Sequence, residues 1–355
     1  MMRCGSGREL APFMHRTGNA MGREALKHLI QGPIATVPTA FDADYNLDLG
    51  VMADLTRWWV AQGLVTGTTV IKVAAAMGEG PDLDDDEWPR LLRTVVEAAD
   101  GKATVVCGLK TKNTLHTIED AKRAQDLGAV GVQIDLPIFH HPVQDDYVRF
   151  FTDISDAVDI GVMIYNTWWF GVPSITAETL LRLKEAEHIV AVKWDVPPGD
   201  DPDTGVYPNA VTSQNAAPNI GPRYDDMRQF AHHFNVIDNS LQIVRSHKNG
   251  GRGYINSAIH AYPPHDLRMW ALLEAGRYDE AQALFDAVDR PLRAFMAKAG
   301  QRSGGYRVQK GMMAVMGRPV GDPRPPTLPL NAEELAELHD LMASFGWPVV
   351  GRGNT

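Results

Sequence analysis

The sequence has very little cysteine: Cys4 and Cys107 are the only two in 355 residues. Two thiols cannot form a disulfide framework, so we expect a reducing, cytoplasmic compartment. Long apolar runs are also missing, and residues 1–20 lack a continuous apolar core, so neither a membrane span nor a secretory signal is predicted. Positive charge is scarce, because 34 Lys and Arg face 44 Asp and Glu for a net charge of −10. This balance argues against nucleic acid as a partner, since a phosphate backbone requires a basic face.

What the sequence does contain is an alternation of short β-branched segments and longer amphipathic ones. Such an alternation predicts parallel strands joined by crossover helices. Eight units favour a closed (β/α)8 barrel, known as a TIM barrel, with a C-terminal helical extension. A doubly wound sheet is the alternative, but no G-x-G-x-x-G follows the first strand. The predicted strands span residues 33–40, 69–74, 104–107, 131–136, 161–165, 189–194, 235–238 and 253–256.

Three parts of the chain follow from this pattern. We predict an N-terminal extension over residues 1–31, the barrel over 32–265 and a C-terminal helical segment over 266–355. Residues 197–222 interrupt the alternation with six prolines and almost no periodicity. This stretch is too long for an ordinary connection between a strand and a helix, so we interpret it as an inserted loop that acts as a lid.

A lysine lies inside the apolar sixth strand, which reads Val190 to Trp194 with Lys193 near its end. Burial disfavours the ammonium form, and a neutral amine is a nucleophile that forms a Schiff base with a carbonyl group. The alternative is a structural lysine paired with a buried carboxylate, Asp195 or Asp135. Lys72 in the second strand is a rival, although a salt-bridged or solvent-reaching side chain is favoured there.

Functional residues of a barrel lie at the C-terminal ends of its strands. Tyr165 ends the fifth predicted strand, beside the strand that carries Lys193, and a phenol at that position can move protons. Packing at the barrel mouth is the alternative for this tyrosine. Asp238 and Ser240 follow the seventh strand, and we predict that they position a substrate.

Several short segments also occur in a characteristic order along residues 32–345. They are Pro38 to Phe41, Gly78-Glu79, Gly108 with Asn113, Pro137, Tyr165-Asn166 and Ile189 to Lys193. Together these segments resemble the dihydrodipicolinate synthase and N-acetylneuraminate lyase family of class I aldolases. By this resemblance Lys193 forms the Schiff base with a 2-oxo acid, usually pyruvate, and Tyr165 is the acid and base. The resemblance also implies a homo-oligomer, a tetramer or a dimer, and no cofactor beyond the lysine imine.

Departures from the family pattern concern the hydroxyl groups of the site. The two threonines that precede the Gly-Glu pair in the family are Ala76 and Met77 here, so backbone N–H groups remain to hold the keto-acid carboxylate. Phe139 stands where the family has a relay tyrosine and carries no hydroxyl. His141, in the same loop, is a candidate donor to a substrate oxygen.

A second departure concerns the partner substrate. The arginine that binds an acceptor carboxylate in the synthases is missing after Tyr165-Asn166. Its place is taken by an aromatic segment that includes Trp168, Trp169 and Phe170. Such a pocket suits an apolar or aromatic aldehyde, whereas packing at a subunit interface or beneath the inserted loop is the alternative. Asn166 itself is a candidate substrate ligand, and dihydrodipicolinate synthesis is not expected.

The sequence therefore predicts a Schiff-base lyase that makes or cleaves a C–C bond between a 2-oxo acid and an aldehyde. A partial resemblance to the hydratase-aldolases of benzylidenepyruvates, including Arg324-Pro325-Pro326, supports the aromatic partner. A hydratase or dehydratase that uses the same lysine is one alternative. A barrel that binds a keto acid without turnover is another. No metal site is predicted.

Overall fold

The computed structural model describes residues 21–138, 142–167, 172–196, 223–255, 258–304 and 306–351. Eight parallel strands form a closed barrel in chain order, and the last strand pairs with the first through Ile255 and Ile34. The predicted (β/α)8 barrel is thus confirmed. The strands are β1 Gly32–Thr36, β2 Val70–Val73, β3 Thr104–Leu109, β4 Gly131–Asp135, β5 Gly161–Asn166, β6 Ile189–Trp194, β7 Asn235–Asp238 and β8 Gly253–Ile255.

Helices surround the barrel and continue beyond it. Every residue of β6 is buried, as a parallel strand covered on both faces requires. The helices around the barrel are α1 Arg23–Leu29, α2 Leu49–Ala61, α3 Glu87–Ala99, α4 Thr114–Asp126, α5 Gln144–Ser155, α6 Ala177–Arg182 and α7 Ile243–Lys248. The C-terminal helices are α8 Pro263–Glu274, α9 Tyr278–Leu284, α10 Arg290–Ala299, α11 Tyr306–Val315 and α12 Ala332–Ser344. In the described part of the chain, no helix is both long and apolar enough to cross a membrane.

Two helix starts show how local chemistry sets the boundaries. Asparagine is a preferred N-cap residue, so the sequence predicts that Asn113 caps a helix. The structure confirms this cap of α4, because the Asn113 side chain accepts a hydrogen bond from the backbone N–H of His116 at 3.0 Å. The sequence also predicts a helix that begins at Asp84, which is early for α3. The Glu87 carboxylate accepts a hydrogen bond from the Asp84 backbone N–H at 2.9 Å, so residues 84–86 form the turn that precedes the helix.

Two predicted helices differ in type from the expectation. The sequence predicts an α-helix over residues 224–233, but the segment is a 3-10 helix, Tyr224–Gln229. The sequence also predicts one helix over residues 278–299, which is divided by a π-helical turn, Phe285–Asp289. Pro291 follows this turn and has no backbone N–H, so the regular hydrogen-bond ladder cannot run through it.

One end of the barrel is closed by an apolar plug. Leu26 of α1 and Ile30, which directly follows α1, pack inside the barrel against Val70, Val106 and Met163. These residues come from the beginning or middle of their strands. The C-terminal ends of the strands therefore carry the open face, where barrel enzymes place their chemistry.

Candidate active site

Lys193 and Tyr165 lie side by side at the C-terminal ends of β6 and β5. The parallel register pairs them directly, because Tyr165 stands opposite Lys193. The Lys193 Nζ atom is 3.6 Å from the centre of the Tyr165 ring. Only 6% of Lys193 and 3% of Tyr165 is exposed, so solvent is largely excluded from both. The structure thus brings together the two residues that we predicted from the sequence to be catalytic.

The environment of Lys193 favours its neutral form. Burial lowers the pKa of the Lys193 ammonium from 10.5 to about 8, and the positive charge of Arg293 acts in the same direction. The carboxylates of Asp195 and Asp135 oppose this shift. A lysine with such a pKa supplies a useful fraction of neutral amine near pH 7, as nucleophilic attack on a carbonyl requires.

Asp195 is held by polar side chains that follow the neighbouring strands. Its Oδ2 atom accepts hydrogen bonds from Thr167 Oγ1 and from Asn239 Nδ2, both at 2.9 Å. The three residues stand directly after β5, β6 and β7. This network keeps a carboxylate near Lys193, where it favours a cationic nitrogen. From the sequence, Asp195 was expected only as a structural partner of Lys193, and this network was not predicted, although polar residues after three consecutive strands were a visible signal.

A second polar group lies within the barrel. The Lys72 Nζ atom donates a hydrogen bond of 2.6 Å to Gln133 Oε1, and 1% of Lys72 and 2% of Gln133 is exposed. Burial and the charge of Lys193 hold the pKa of Lys72 well below its usual range, while Asp135 opposes them. Of the two structural roles predicted for Lys72, a side chain that reaches solvent and one in a salt bridge, the first is wrong, because residue 72 points inward on β2. Gln133 was not among the predicted site residues.

The loop after β2 is a tight turn at the mouth of the barrel. Residues Ala76–Gly78 form a 3-10 turn, and both Ala76 and Met77 remain partly exposed. A Cβ atom at Gly80 would lie 1.8 Å from the Ala74 carbonyl oxygen, so only glycine fits there. Thr39 Oγ1 donates a hydrogen bond of 2.6 Å to the carbonyl of Gly78. The backbone of this loop is therefore closely fixed in space.

The C-terminal segment reaches this loop through a buried lysine of α11. Lys310 Nζ lies 3.0 Å from Glu79 Oε2 and donates to the carbonyl of Thr39 at 2.7 Å. Both charged side chains are almost fully buried. Burial raises the pKa of the Glu79 carboxyl, and Lys310 opposes that shift. No pattern in the sequence predicts this contact between distant parts of the chain.

Asp238 and Ser240 occupy the end of β7, where they hold the backbone of their own loop. Asp238 Oδ1 accepts a hydrogen bond of 2.7 Å from the Tyr224 hydroxyl, and its Oδ2 accepts one of 3.0 Å from the Gln242 backbone N–H. Burial raises the pKa of Asp238 to about 7. Ser240 Oγ accepts from the Val196 N–H at 3.1 Å. Direct contact of either residue with a substrate stays a prediction.

Asn166, the last residue of β5, also supports the backbone. Its Oδ1 accepts a hydrogen bond of 3.0 Å from the Ile175 N–H. Its Nδ2 atom is buried without a hydrogen-bond partner among the described residues. Five of the predicted substrate ligands and the inserted loop 197–222 lie outside the described residues, and their roles stay predictions. Those five are Phe139, His141, Trp168, Trp169 and Phe170.

Comparison with known proteins agrees with this geometry. The profile described as the dihydrodipicolinate synthetase family matches residues 29–197. The 4-hydroxy-tetrahydrodipicolinate synthase of Acidothermus cellulolyticus is 31% identical over 324 residues, which cover 90% of this chain and 94% of the relative. The chain belongs to the dihydrodipicolinate synthetase family. Lys193 and Tyr165 both lie within the matched region.

Further members of the family extend the similarity over nearly the whole barrel. A 4-hydroxy-tetrahydrodipicolinate synthase of Streptomyces coelicolor is 32% identical, with 88% of this chain and 94% of the relative covered. A crystal structure of a dihydrodipicolinate synthase from Bacillus anthracis is 26% identical at a TM-score of 0.71. It covers 89% of this chain and 99% of its own. Family membership confirms the resemblance found in the sequence and the expected enzyme class, a lyase of the class I aldolase type.

Proposed function

We propose that this enzyme joins or cleaves a C–C bond between a 2-oxo acid, in the first instance pyruvate, and an apolar or aromatic aldehyde. Lys193 is the nucleophile and Tyr165 is the acid and base. The observation that carries the proposal is the buried Lys193 amine, 3.6 Å from the ring centre of Tyr165 at the open end of the barrel.

The chemistry follows from a neutral amine in a site that solvent scarcely reaches. The Lys193 nitrogen attacks the ketone carbon, and loss of water gives a positively charged iminium ion. The iminium withdraws electrons, so the neighbouring carbon gives up a proton to Tyr165, the base, and the iminium becomes an enamine. The enamine carbon attacks the aldehyde carbon, and Tyr165 passes that proton on to the aldehyde oxygen. Hydrolysis of the new iminium releases the product and restores the lysine.

Electrostatics support the charged intermediate. Asp195 carries a carboxylate near Lys193, and the two hydrogen bonds from Thr167 and Asn239 fix its position. A fixed negative charge next to the iminium stabilises that ion without reorganisation of solvent. The arrangement favours the imine over the free amine and ketone.

The two substrates are assigned to different walls of the site. We assign the keto-acid carboxylate to the backbone N–H groups around Ala76 and Met77, since the loop after β2 is rigid and partly exposed there. We assign the aldehyde to the aromatic segment of Trp168, Trp169 and Phe170, which lies outside the described residues. The residue that follows Asn166 supports this assignment, because Thr167 is neutral and turned toward Asp195 rather than offering a cation to an acidic aldehyde.

The first experiment is reductive trapping. The protein is incubated with pyruvate and sodium borohydride, and the modified peptide is identified by mass spectrometry. We expect an adduct on Lys193 in the wild-type protein and in Lys102→Arg, which alters an exposed lysine. Lys193→Arg keeps the positive charge but loses the nucleophile, so no adduct is expected. An adduct on Lys72, or an unmodified Lys193, would contradict the proposed mechanism.

A second experiment tests the aldehyde. Pyruvate is supplied with an aromatic aldehyde, a short aliphatic aldehyde or an aldehyde that carries a carboxylate, and products are analysed for a new C–C bond. We expect the aromatic aldehyde to be used with the highest kcat/KM. Preference for the acidic aldehyde would contradict the assignment of the aromatic wall while leaving the Schiff base intact.

A further inference from the structure

The polar group inside the barrel has no role in the mechanism above. Lys72, Gln133 and Asp135 lie on the inner faces of β2 and β4, among apolar residues such as Val106 and Met163. Ionisable groups in a barrel interior cost stability, because they lose contact with water. Perturbed ionisable groups in such a place are more common at functional sites than elsewhere.

The register of three neighbouring strands places Asp135 in line with the proposed catalytic pair. Asp135 stands opposite Tyr165, and Tyr165 stands opposite Lys193. Paired residues of adjacent parallel strands point to the same face of the sheet, so the three side chains share the inner face of the barrel. Asp135 and Lys193 interact electrostatically, and Asp135 remains partly exposed at the mouth.

We propose that, while the imine forms, Asp135 takes a proton from Lys193 and then gives it to the oxygen that leaves the bound keto acid as water. In this role it supplies the acid and base function that the family gives to the hydroxyl groups absent at Ala76, Met77 and Phe139. The inference rests on the proposed function, because it requires Lys193 to form the imine.

The proton balance of the step is complete. The Asp135 carboxylate takes one proton from the Lys193 ammonium, which leaves a neutral amine and a carboxylic acid. The amine attacks the ketone, and as the C–N bond forms one N–H proton passes from the nitrogen to the former ketone oxygen, which gives a neutral carbinolamine. The Asp135 acid then protonates the carbinolamine hydroxyl, water leaves, and the nitrogen lone pair forms the iminium. Asp135 ends as a carboxylate facing the iminium charge.

The charges around Asp135 suit this exchange. Burial raises the pKa of Asp135 to about 7, while Lys193 and Lys72 oppose the shift. The pKa of Lys193 is about 8, so a proton moves between the two groups at little cost. Asp195 and Arg293 also act on Lys193, with opposite signs.

Lys72 takes part as a positioned neighbour of Asp135. The hydrogen bond from Lys72 Nζ to Gln133 Oε1 holds the amine close to β4, the strand that also carries Asp135. In its protonated form Lys72 lowers the pKa of the Asp135 carboxyl, in the same direction as Lys193 and against the effect of burial.

The test follows adduct formation over time with pyruvate and borohydride between pH 6 and pH 9. For Asp135→Asn we expect the initial rate at pH 7 to fall on the order of 10²-fold, with the adduct still accumulating on Lys193 at long times. Added formate, a small carboxylate, should raise the rate of this variant in proportion to its concentration. Asp120→Asn, which alters a carboxylate paired with Lys112, serves as the control and should match the wild type.

The outcomes separate this inference from the proposed function. No adduct in the wild-type protein would overturn both. A wild-type adduct together with an unchanged rate and pH profile in Asp135→Asn would overturn the inference alone, and so would a slow variant that formate does not accelerate. Asp135→Val, whose side chain suits a buried strand, is measured in parallel in case the asparagine variant does not fold.

Discussion

Replacement of Asp195 by asparagine removes the largest influence that keeps Lys193 protonated. The change preserves shape, because the amide oxygen of asparagine can take the position of Oδ2 and accept the hydrogen bonds from Thr167 and Asn239. What the variant loses is a negative charge near the Lys193 nitrogen. Since that charge raises the pKa of Lys193, the variant should titrate at a lower pH than the wild type.

The structure sets the size of the effect. With a pKa of about 8, about one Lys193 in eleven is neutral at pH 7 and about one in a hundred at pH 6. An unperturbed lysine would be neutral in about one molecule in 3,000 at pH 7. Each unit by which Asp195→Asn lowers the pKa therefore increases the neutral amine at pH 6 by about tenfold. Imine formation at that pH should accelerate accordingly.

Later steps should respond in the opposite direction. The iminium ion loses a stabilising carboxylate in Asp195→Asn, so kcat for C–C bond formation should fall even where imine formation becomes faster. A change that merely loosened the fold would slow both steps together.

The assay is the rate of borohydride-trapped adduct as a function of pH, with Thr167→Val as the matched control. The control removes one hydrogen bond to Asp195 but keeps the charge, so the pH at the inflection of its rate profile should stay near that of the wild type. If the inflection in Asp195→Asn came at the same pH as in the wild type or at a higher pH, the electrostatic reasoning would be refuted.

Three further predictions concern the support of the site. Lys310→Met leaves the Glu79 carboxyl buried without its cation, which should cost about 3–5 kcal/mol in chemical denaturation, and a second change, Glu79→Gln, should recover part of it. Equal stability of the single variant and the wild type would contradict this. Gly80→Ala forces a Cβ atom against the Ala74 carbonyl and so displaces the loop after β2. Because we assign the pyruvate carboxylate to this loop, the KM for pyruvate should rise at least about tenfold. An unchanged KM would show that the loop does not hold the carboxylate. Burial raises the pKa of the Cys107 thiol, so a thiol reagent should modify this residue only after unfolding, and rapid labelling of the native protein would disprove its enclosure.

The parts of the structure that local sequence determines were predictable. The bounds of β6 and β7 agree with the expected segments, because each has an apolar centre with clear limits. The pairing of Tyr165 with Lys193 also followed, since consecutive strands of a barrel are neighbours and each residue stands next to the C-terminal residue of its strand.

Two kinds of contact were not predictable: those that depend on which side chains of a strand point into the barrel, and those between distant segments of the chain. Lys72 was expected to reach solvent or to form a salt bridge, but its side chain points into the barrel and donates to Gln133, on a strand that is not its neighbour. The pair of Lys310 and Glu79 joins α11 to the loop after β2, and no periodicity in either segment signals it. Such contacts arise from the packing of the whole chain.

The buried pair of Lys310 and Glu79 has a consequence for how this enzyme can be taken apart. Glu79 adjoins the turn of Ala76 and Met77, to which the keto-acid carboxylate is assigned, and its counter-ion comes from the far end of the chain. In a barrel produced without α11, or fused to a foreign tail that lacks this lysine, Glu79 would stay buried without its cation beside the turn to which we assign the keto-acid carboxylate. An ionised Glu79 would then repel that carboxylate, so we expect the barrel to need its own C-terminal helices for substrate binding as well as for stability.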